Sequence, residues 1–450
     1  MPRPPKHVPP NTLGGHIRAA RENLHLSLAS VAGERYSTSL ISQIERNRVE
    51  PSQESLQFLA QRLELPLEDL KVLIQQQRDA EVQDHQVHLF ETLYTRAAQA
   101  FMAKQPYEAL KLLEALNFPH IAPELRWRLS ALRGQCYFRI RQFFAAQKDF
   151  LYAVTEQPLL IPTDQRKEAM DLHLHLAATL RELEQPNAAF EQYHVALNMM
   201  DANTPLNYIA ETHWGMSLIA FQRANKSECP HKKEEQYRLA LTHAENARAL
   251  YRSIGEAVRV ALLTCHMALI QQEQGQVDDA RKKLSKLLQK WLPELEQEVS
   301  LPNSDEQRLA EIGNLVSAVA CSLAGVEYQV DNLDEALSYV QQARYAADFS
   351  NKLRKAEAAM MHGRILGASK MNEEAEAAFR EALNILAGTE RLAARIRAYD
   401  LLGRHLLKTG KTNAGEQELD HARHLSHLAS VFTSTTIVLE TECEDSAKLS

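Results

Sequence analysis

Small side chains recur along this 450-residue chain in pairs twelve positions apart: Ala97/Ala109, Gly134/Ala146, Ala177/Ala189, Ala268/Ala280, Ala324/Ala336, Gly363/Ala375 and Gly403/Gly415. Nothing else in the sequence narrows the possible folds as much. Two antiparallel helices approach closely only where both carry a small residue, and large residues then fill the gap to the next hairpin. A second packing position repeats with it, three residues before a small one: Phe150/Ala153, Tyr193/Ala196, Val340/Ala343, Phe379/Ala382 and Leu419/Ala422. Alanine-rich helices produce chance pairs, but not seven in order. One further unit is irregular, because Gly215 and Ala240 lie 25 apart. Its excess falls around AFQRANKSECPHKKEE, which reads as a polar insertion between the two helices. Eight helical hairpins are expected between residues 90 and 428.

Composition agrees with an all-α chain. Glycine is scarce, at 15 residues, and almost no segment alternates like a strand. No apolar run approaches the ~18 residues of a membrane span, and the proline-rich start is no signal peptide. The five cysteines (Cys136, Cys229, Cys265, Cys321, Cys443) are scattered without a CxxC, as expected of reduced, packed thiols in a cytoplasmic protein. No phosphate-binding glycine loop, GxSxG or HExxH is found, so no catalytic residue and no cofactor is expected. His421, His424 and His427 lack an evident further ligand and read as solvated rather than metal-binding.

The second unit, WRLSALRGQCYFRIRQFFAAQKDFLYAVTEQP, matches the tetratricopeptide pattern: Gly134 at the small eighth position, Tyr137 at the eleventh, Ala146 at the twentieth, then Phe150, Ala153 and Pro158. It resembles arrays that stack into a right-handed superhelix whose concave face is lined by the first helix of each hairpin. The inward positions are then Arg128, Gln135, Arg139, Arg181, Glu182, Thr212, Met216, Ile219, Gln272, Tyr328, Gln329, Arg364, Arg397, Asp400 and Arg404. From these, Arg128, Gln135, Arg139, Arg181, Met216, Gln272, Tyr328, Arg364 and Arg404 are taken as the candidate ligand groove. Arginines gathered inside an acidic body suit an anionic or carboxylate-ended ligand.

Ahead of the repeats, SLASVAGERYSTSLISQIERNR (Ser27–Arg48) resembles the helix-turn-helix of phage-repressor-type (XRE) domains. Leu28, Val31 and Ala32 form a short apolar face; Ser37 caps a second helix whose Ile41 and Ile44 turn inward. Thr38, Ser39, Ser42 and Gln43 occupy the opposite face, with Arg46 and Arg48 just beyond, and are the candidate DNA-binding residues. The setting is a five-helix head over residues 13–74. The resemblance implies a structural ion pair between Arg21 and Glu45. Two departures stand out: Gly33 comes early, so the corner between helices 2 and 3 is one residue short, and Asn47 replaces a glycine in a left-handed position it tolerates.

Residues 1–12 hold five prolines and are expected to be a disordered arm, with Arg3 and Lys6 within reach of a minor groove. Residues 75–89 read as a linker helix and 429–450 as a mobile tail. Residues 1–78 carry ten Lys+Arg against eight Asp+Glu, leaving 41 against 50 in the remainder. A mildly basic head on an acidic body suits a protein that touches DNA at one end only.

This order of parts resembles the peptide-sensing regulators of bacterial quorum sensing (the Rap, Rgg, NprR, PlcR and PrgX group). The resemblance implies a DNA-binding transcription regulator whose repeat domain binds a signal peptide and dimerises, with the ligand changing how two heads are spaced on double-stranded DNA. The groove departs from that group in being poor in inward asparagines. The other reading is a tetratricopeptide scaffold that grips protein segments, with DNA binding secondary.

Overall fold

The computed structural model describes residues 9–116, 121–301 and 305–427, with the side chains of 81–86 left out. The readings of residues 1–8, among them Arg3 and Lys6, and of the 429–450 tail with Cys443 lie outside these residues. The fold divides into two compact units, residues 1–102 with 111–125, and residues 103–110 with 126–450. All regular structure among the described residues is helical.

The first unit opens with four short helices: α1 (Leu13–Asn23), α2 (Leu28–Ala32), α3 (Thr38–Glu45) and α4 (Gln53–Arg62). Each starts on a hydroxyl that accepts a hydrogen bond from an orphan amide: Thr12 from Gly15, Ser27 from Ser30, Ser37 from Leu40 and Ser52 from Ser55. A single core joins them. Leu13, Ile17, Val31, Ala32, Ile41, Ile44, Leu56, Leu59, Ala60, Leu63 and Leu70 are all buried. The fifth helix, α5, runs without interruption from Leu67 to Met102, so no break separates head helix, linker and first repeat helix.

The second unit is the stack of hairpins: α7 (Pro123–Arg139) with α8 (Phe143–Glu156), α9 (Arg166–Glu182) with α10 (Pro186–Met199), α11 (Leu206–Lys226) with α12 (Pro230–Ser253), α13 (Ala257–Glu273) with α14 (Val277–Ser300), α15 (Glu306–Gln329) with α16 (Leu333–Ala347), α17 (Lys352–Ala368) with α18 (Asn372–Leu386), and α19 (Leu392–Lys408) with a last helix over 412–427. A helix α6 (Pro106–Glu114) precedes them. Every residue of the seven twelve-spaced pairs is buried. Their size is required: a Cβ on Gly134 would lie 2.6 Å from the Phe150 ring, and one on Gly363 2.7 Å from the Phe379 ring.

A second period emerges that the side chains do not advertise. Seven residues after each small one, the backbone turns left-handed: at Lys104, Arg141, Glu184, Gly275, Asp331, Lys370 and Gly410. The amide one residue on then bonds back to the closing helix: Gln142 to Tyr137, Gln185 to Leu180, Gln276 to Gln271, Asn332 to Glu327, Met371 to Leu366 and Lys411 to Leu406, each at 2.9 Å. This is the Schellman closure, which satisfies carbonyls the helix end would orphan.

Two sequence expectations need correction. The excess in the irregular unit is not an inserted loop: α11 and α12 both lengthen, leaving only Ser227–Cys229 between them. Pro230 sits at the start of α12, where a missing N–H costs nothing, so part of the stretch read as an insertion begins a helix. And α15 is long and apolar enough to cross a membrane, although its apolar residues, Leu315, Val316, Val319, Leu323 and Val326 among them, are buried in the core of the stack.

Candidate nucleic-acid interface

In the head, α3 is two-sided. Ile41 and Ile44 are buried at 1% exposure each, and Glu45 is buried beside them. Thr38, Ser39 and Gln43 are exposed, Ser42 is partly so, and Arg46 and Arg48 are exposed just past the helix end. Arg35 lies exposed in the preceding corner, 3.6 Å from Glu54. The outer face thus offers hydroxyl, carboxamide and guanidinium groups and no large apolar side chain, a set able to read base edges and hold phosphates.

Three devices hold this helix in place. Arg21 donates two hydrogen bonds to Glu45, Nε to Oε1 at 2.6 Å and Nη2 to Oε2 at 3.0 Å, and a third to the Leu26 carbonyl at 3.1 Å. The Glu45 hydrogen bond raises the Arg21 pKa despite the opposing effect of burial. The pair therefore ties α3 to α1 and to the turn ahead of α2. The second device is Asn47. It is left-handed at φ 53°, and it closes α3 by a Schellman motif, with its own amide on Ile44 and the Arg48 amide on Gln43. Its side chain reaches 33 residues back to accept from the Gly14 amide at 2.7 Å, and donates to Thr12 at 2.8 Å. Gly14 is needed there: a Cβ would meet the Ile44 carbonyl oxygen at 2.4 Å. Sequence reasoning took Asn47 for a tolerated substitute and missed its role as a clip; the paired Gly14-Gly15 at the start of α1 was the available signal.

The third device is the corner. Gly33 takes φ 59° directly after Ala32, and the Tyr36 amide bonds back to the Ala32 carbonyl. Tyr36 packs edge-on against Phe58, ring centroids 5.1 Å apart. The helix α2 ends at Ala32, and the glycine stands where the backbone turns left-handed.

The candidate groove residues are dispersed, and several are already engaged. Arg128 is paired with Glu168 through bonds of 2.6 and 3.0 Å, and Arg181 with Glu182 at 3.1 Å. Arg404 pairs with Asp400 on its own helix, and Arg364 lies over the Tyr328 ring, 4.7 Å from its centroid. Gln272 donates to Gln329 at 3.0 Å. Gln135 is half-buried and Arg139 exposed. Met216 is withdrawn from the groove: at 1% exposure it packs in the core with Leu172, Leu176, Tyr193 and Ile219. An apolar side chain at an inward position was drawn into the packing between hairpins.

Residues 17–70 match the family model described as Helix-turn-helix. Among solved structures, the chain is similar to a Rap protein complexed with Competence and Sporulation Factor (12% identity, TM-score 0.54, covering 92% of this chain and 99% of that one). It is also similar to NprR in complex with its cognate peptide NprX (11% identity, TM-score 0.50, 78% and 98%). At such identities the likeness is one of fold. No curated protein matches the chain in sequence. Residues 17–70 are thus a helix-turn-helix domain of the phage-repressor (XRE) type, joined to a tetratricopeptide-like helical stack.

Proposed function

We propose that this protein is a sequence-specific DNA-binding transcription regulator that acts in the cytoplasm as a homodimer, its helical stack sensing a peptide or other small ligand. The observation that carries the reading is the two-sidedness of α3: Ile41, Ile44 and Glu45 are held inside while Thr38, Ser39 and Gln43 face out. Those three, with Ser42, are assigned to base edges, and Arg46 and Arg48 to flanking phosphates. A dimer follows from size, since one small head contacts too few base pairs to select a genomic site. The ligand role draws its support from the two similar structures, one holding a cognate peptide and the other Competence and Sporulation Factor. Its groove residues are Arg128, Gln135, Arg139, Arg181, Gln272, Tyr328, Arg364 and Arg404.

The test is DNA binding by the double variant Ser42→Ala/Gln43→Ala, assayed on the region upstream of the protein's own gene. Each lost base contact is worth about 1–3 kcal/mol of discrimination, so losing two should lower preference over random DNA by roughly 30-fold or more while salt-sensitive non-specific binding persists. Undiminished preference with an intact circular dichroism spectrum would remove α3 as the reading element. The paired state of Arg128, Arg181 and Arg404 favours one further reading, a scaffold for protein segments. A stoichiometric protein partner in pull-downs, with no promoter binding, would select it.

A further inference from the structure

Polar ties within the stack mostly join neighbours. Arg128–Glu168, Arg281–Glu327 and Arg344–Glu381 span 40, 46 and 37 residues, one hairpin to the next. One cluster breaks this rule. Arg391, directly before α19, pairs with Glu182 at the end of α9, 209 residues away, and both side chains are only 16% exposed. Its guanidinium also lies over the Phe143 ring, 5.2 Å from the centroid. The adjacent Glu390 accepts a hydrogen bond from the Phe144 amide at 2.9 Å, across 246 residues. Two residues before the last hairpin are thus fastened to the start of α8 and the end of α9. An exposed bond over a similar separation joins Lys104 to Gln307, 203 residues apart.

We propose that Glu390 and Arg391 form a clasp which closes the stack upon itself, and that its release opens the face on which a ligand would lie. The argument rests on mechanics. A stack of repeats is a spring in which each hairpin contacts its neighbours and small rotations at each step add up. A tie between hairpins five or six apart fixes the sum of those rotations, so breaking a few bonds at one point lets small rotations add up along the stack while each interface between stays packed. The chemistry of the clasp is suited to this. A guanidinium held over a ring and bonded to a shielded carboxylate is a stronger contact than a surface ion pair, yet it has an aqueous alternative once exposed. Burial pushes the Glu182 carboxyl up, but Arg181, Arg391 and Arg141 outweigh that and hold it below the usual range, so it stays charged at neutral pH. Arg141 is pushed down by burial, then by Arg391. The clasp itself stands without the regulatory reading above, and only the ligand face it would open rests on that reading.

Hydrogen exchange on the full-length protein tests the clasp, with Glu182→Gln removing the charge that faces Arg391 and Glu390→Ala removing the acceptor of the Phe144 amide. Release should speed exchange at the start of α8 and in residues 387–391 by about tenfold or more, the expected signature of local rather than global opening. Exchange in α13–α16 should stay as it is, and the radius of gyration from X-ray scattering should rise. Unchanged exchange at both segments in both variants would overturn the clasp. So would a uniform increase along the whole stack, which would mark a general loss of stability. Should Glu182→Gln fail to fold, Glu390→Ala decides alone, because it removes the side chain that accepts the Phe144 amide and leaves Glu182 in place.

Discussion

In the head, one ion pair is held almost out of reach of water: the side chains of Arg21 and Glu45 are 14% and 6% exposed. In the stack, the clasp between Arg391 and Glu182 aside, charge is distributed along the chain instead. Arg128–Glu168, Arg281–Glu327 and Arg344–Glu381 link one hairpin to the next and Arg133–Asp149 joins the two helices of one hairpin, each with at least one partner a quarter or more exposed. The difference follows from geometry. Four short helices and the start of α5 around eleven buried apolar residues leave room for one buried ion pair, which must therefore orient α3 against α1. Repeated interfaces need no unique device, and each contributes a little. The head should accordingly fail all at once, and the stack by degrees.

Removing half of the head's pair should have the largest effect. Glu45→Ala leaves Arg21 buried without its carboxylate and should cost the head about 3–5 kcal/mol, enough to unfold it, as read by chemical denaturation. Arg21→Met with Glu45→Met should recover most of that loss; if the double variant is no better than the single, the pair is not what holds α3. Gly363→Leu, which drives a side chain into Phe379, should cost the stack about 3 kcal/mol. Its melt should broaden or split rather than shift as one transition. A single sharp transition would contradict the graded picture.

Acid should separate the two regions as well. Within the stack, burial pushes the His266 imidazole down to about 4, with the ring on the Ser217 hydroxyl at 3.0 Å. Burial, with His213 and His194 nearby, does the same to His243. The unfolded chain binds these protons more readily, so stability is full above about pH 6.5 and is lost as pH falls toward 4. For His266 the loss approaches about 3 kcal/mol. His266→Gln should flatten that dependence in melts between pH 7 and 4.5, whereas an unaltered slope would place its origin elsewhere. Smallest of all, Asn47→Gly keeps the left-handed turn but loses the two bonds to Gly14 and Thr12. It should cost the head about 1 kcal/mol, and denaturation curves that superimpose on the parent's would show that the clip contributes nothing.

What the sequence displayed and what it hid divide along physical lines. Fourteen small residues mark the hairpins because close helix approach admits nothing else, and that requirement is local. The two faces of α3 were visible for the same reason, since helical spacing alone separates Ile41 and Ile44 from Gln43. Hidden features depend on context. Ser227, Pro230 and three lysines look like a loop until Pro230 is seen to open a helix. Met216 cannot be assigned to groove or core without knowing what packs over it. Glu182 and Arg391 carry no mark of each other at all, because their meeting is set by the accumulated bend of five hairpins.

The turns that close the hairpins carry a consequence of their own. Of the seven left-handed positions, five are held by Lys104, Arg141, Glu184, Asp331 and Lys370, and only two by glycine. A side chain there costs roughly 1–2 kcal/mol, yet Glu184 uses the position to reach Gln222 and Lys226, 38 and 42 residues on. Glycine scanning at these five corners would sort them into two kinds. Where the residue serves only its own bend, the protein should grow hardier; where it also reaches the next hairpin, as Glu184 does, relief of the backbone should be offset by a looser seam.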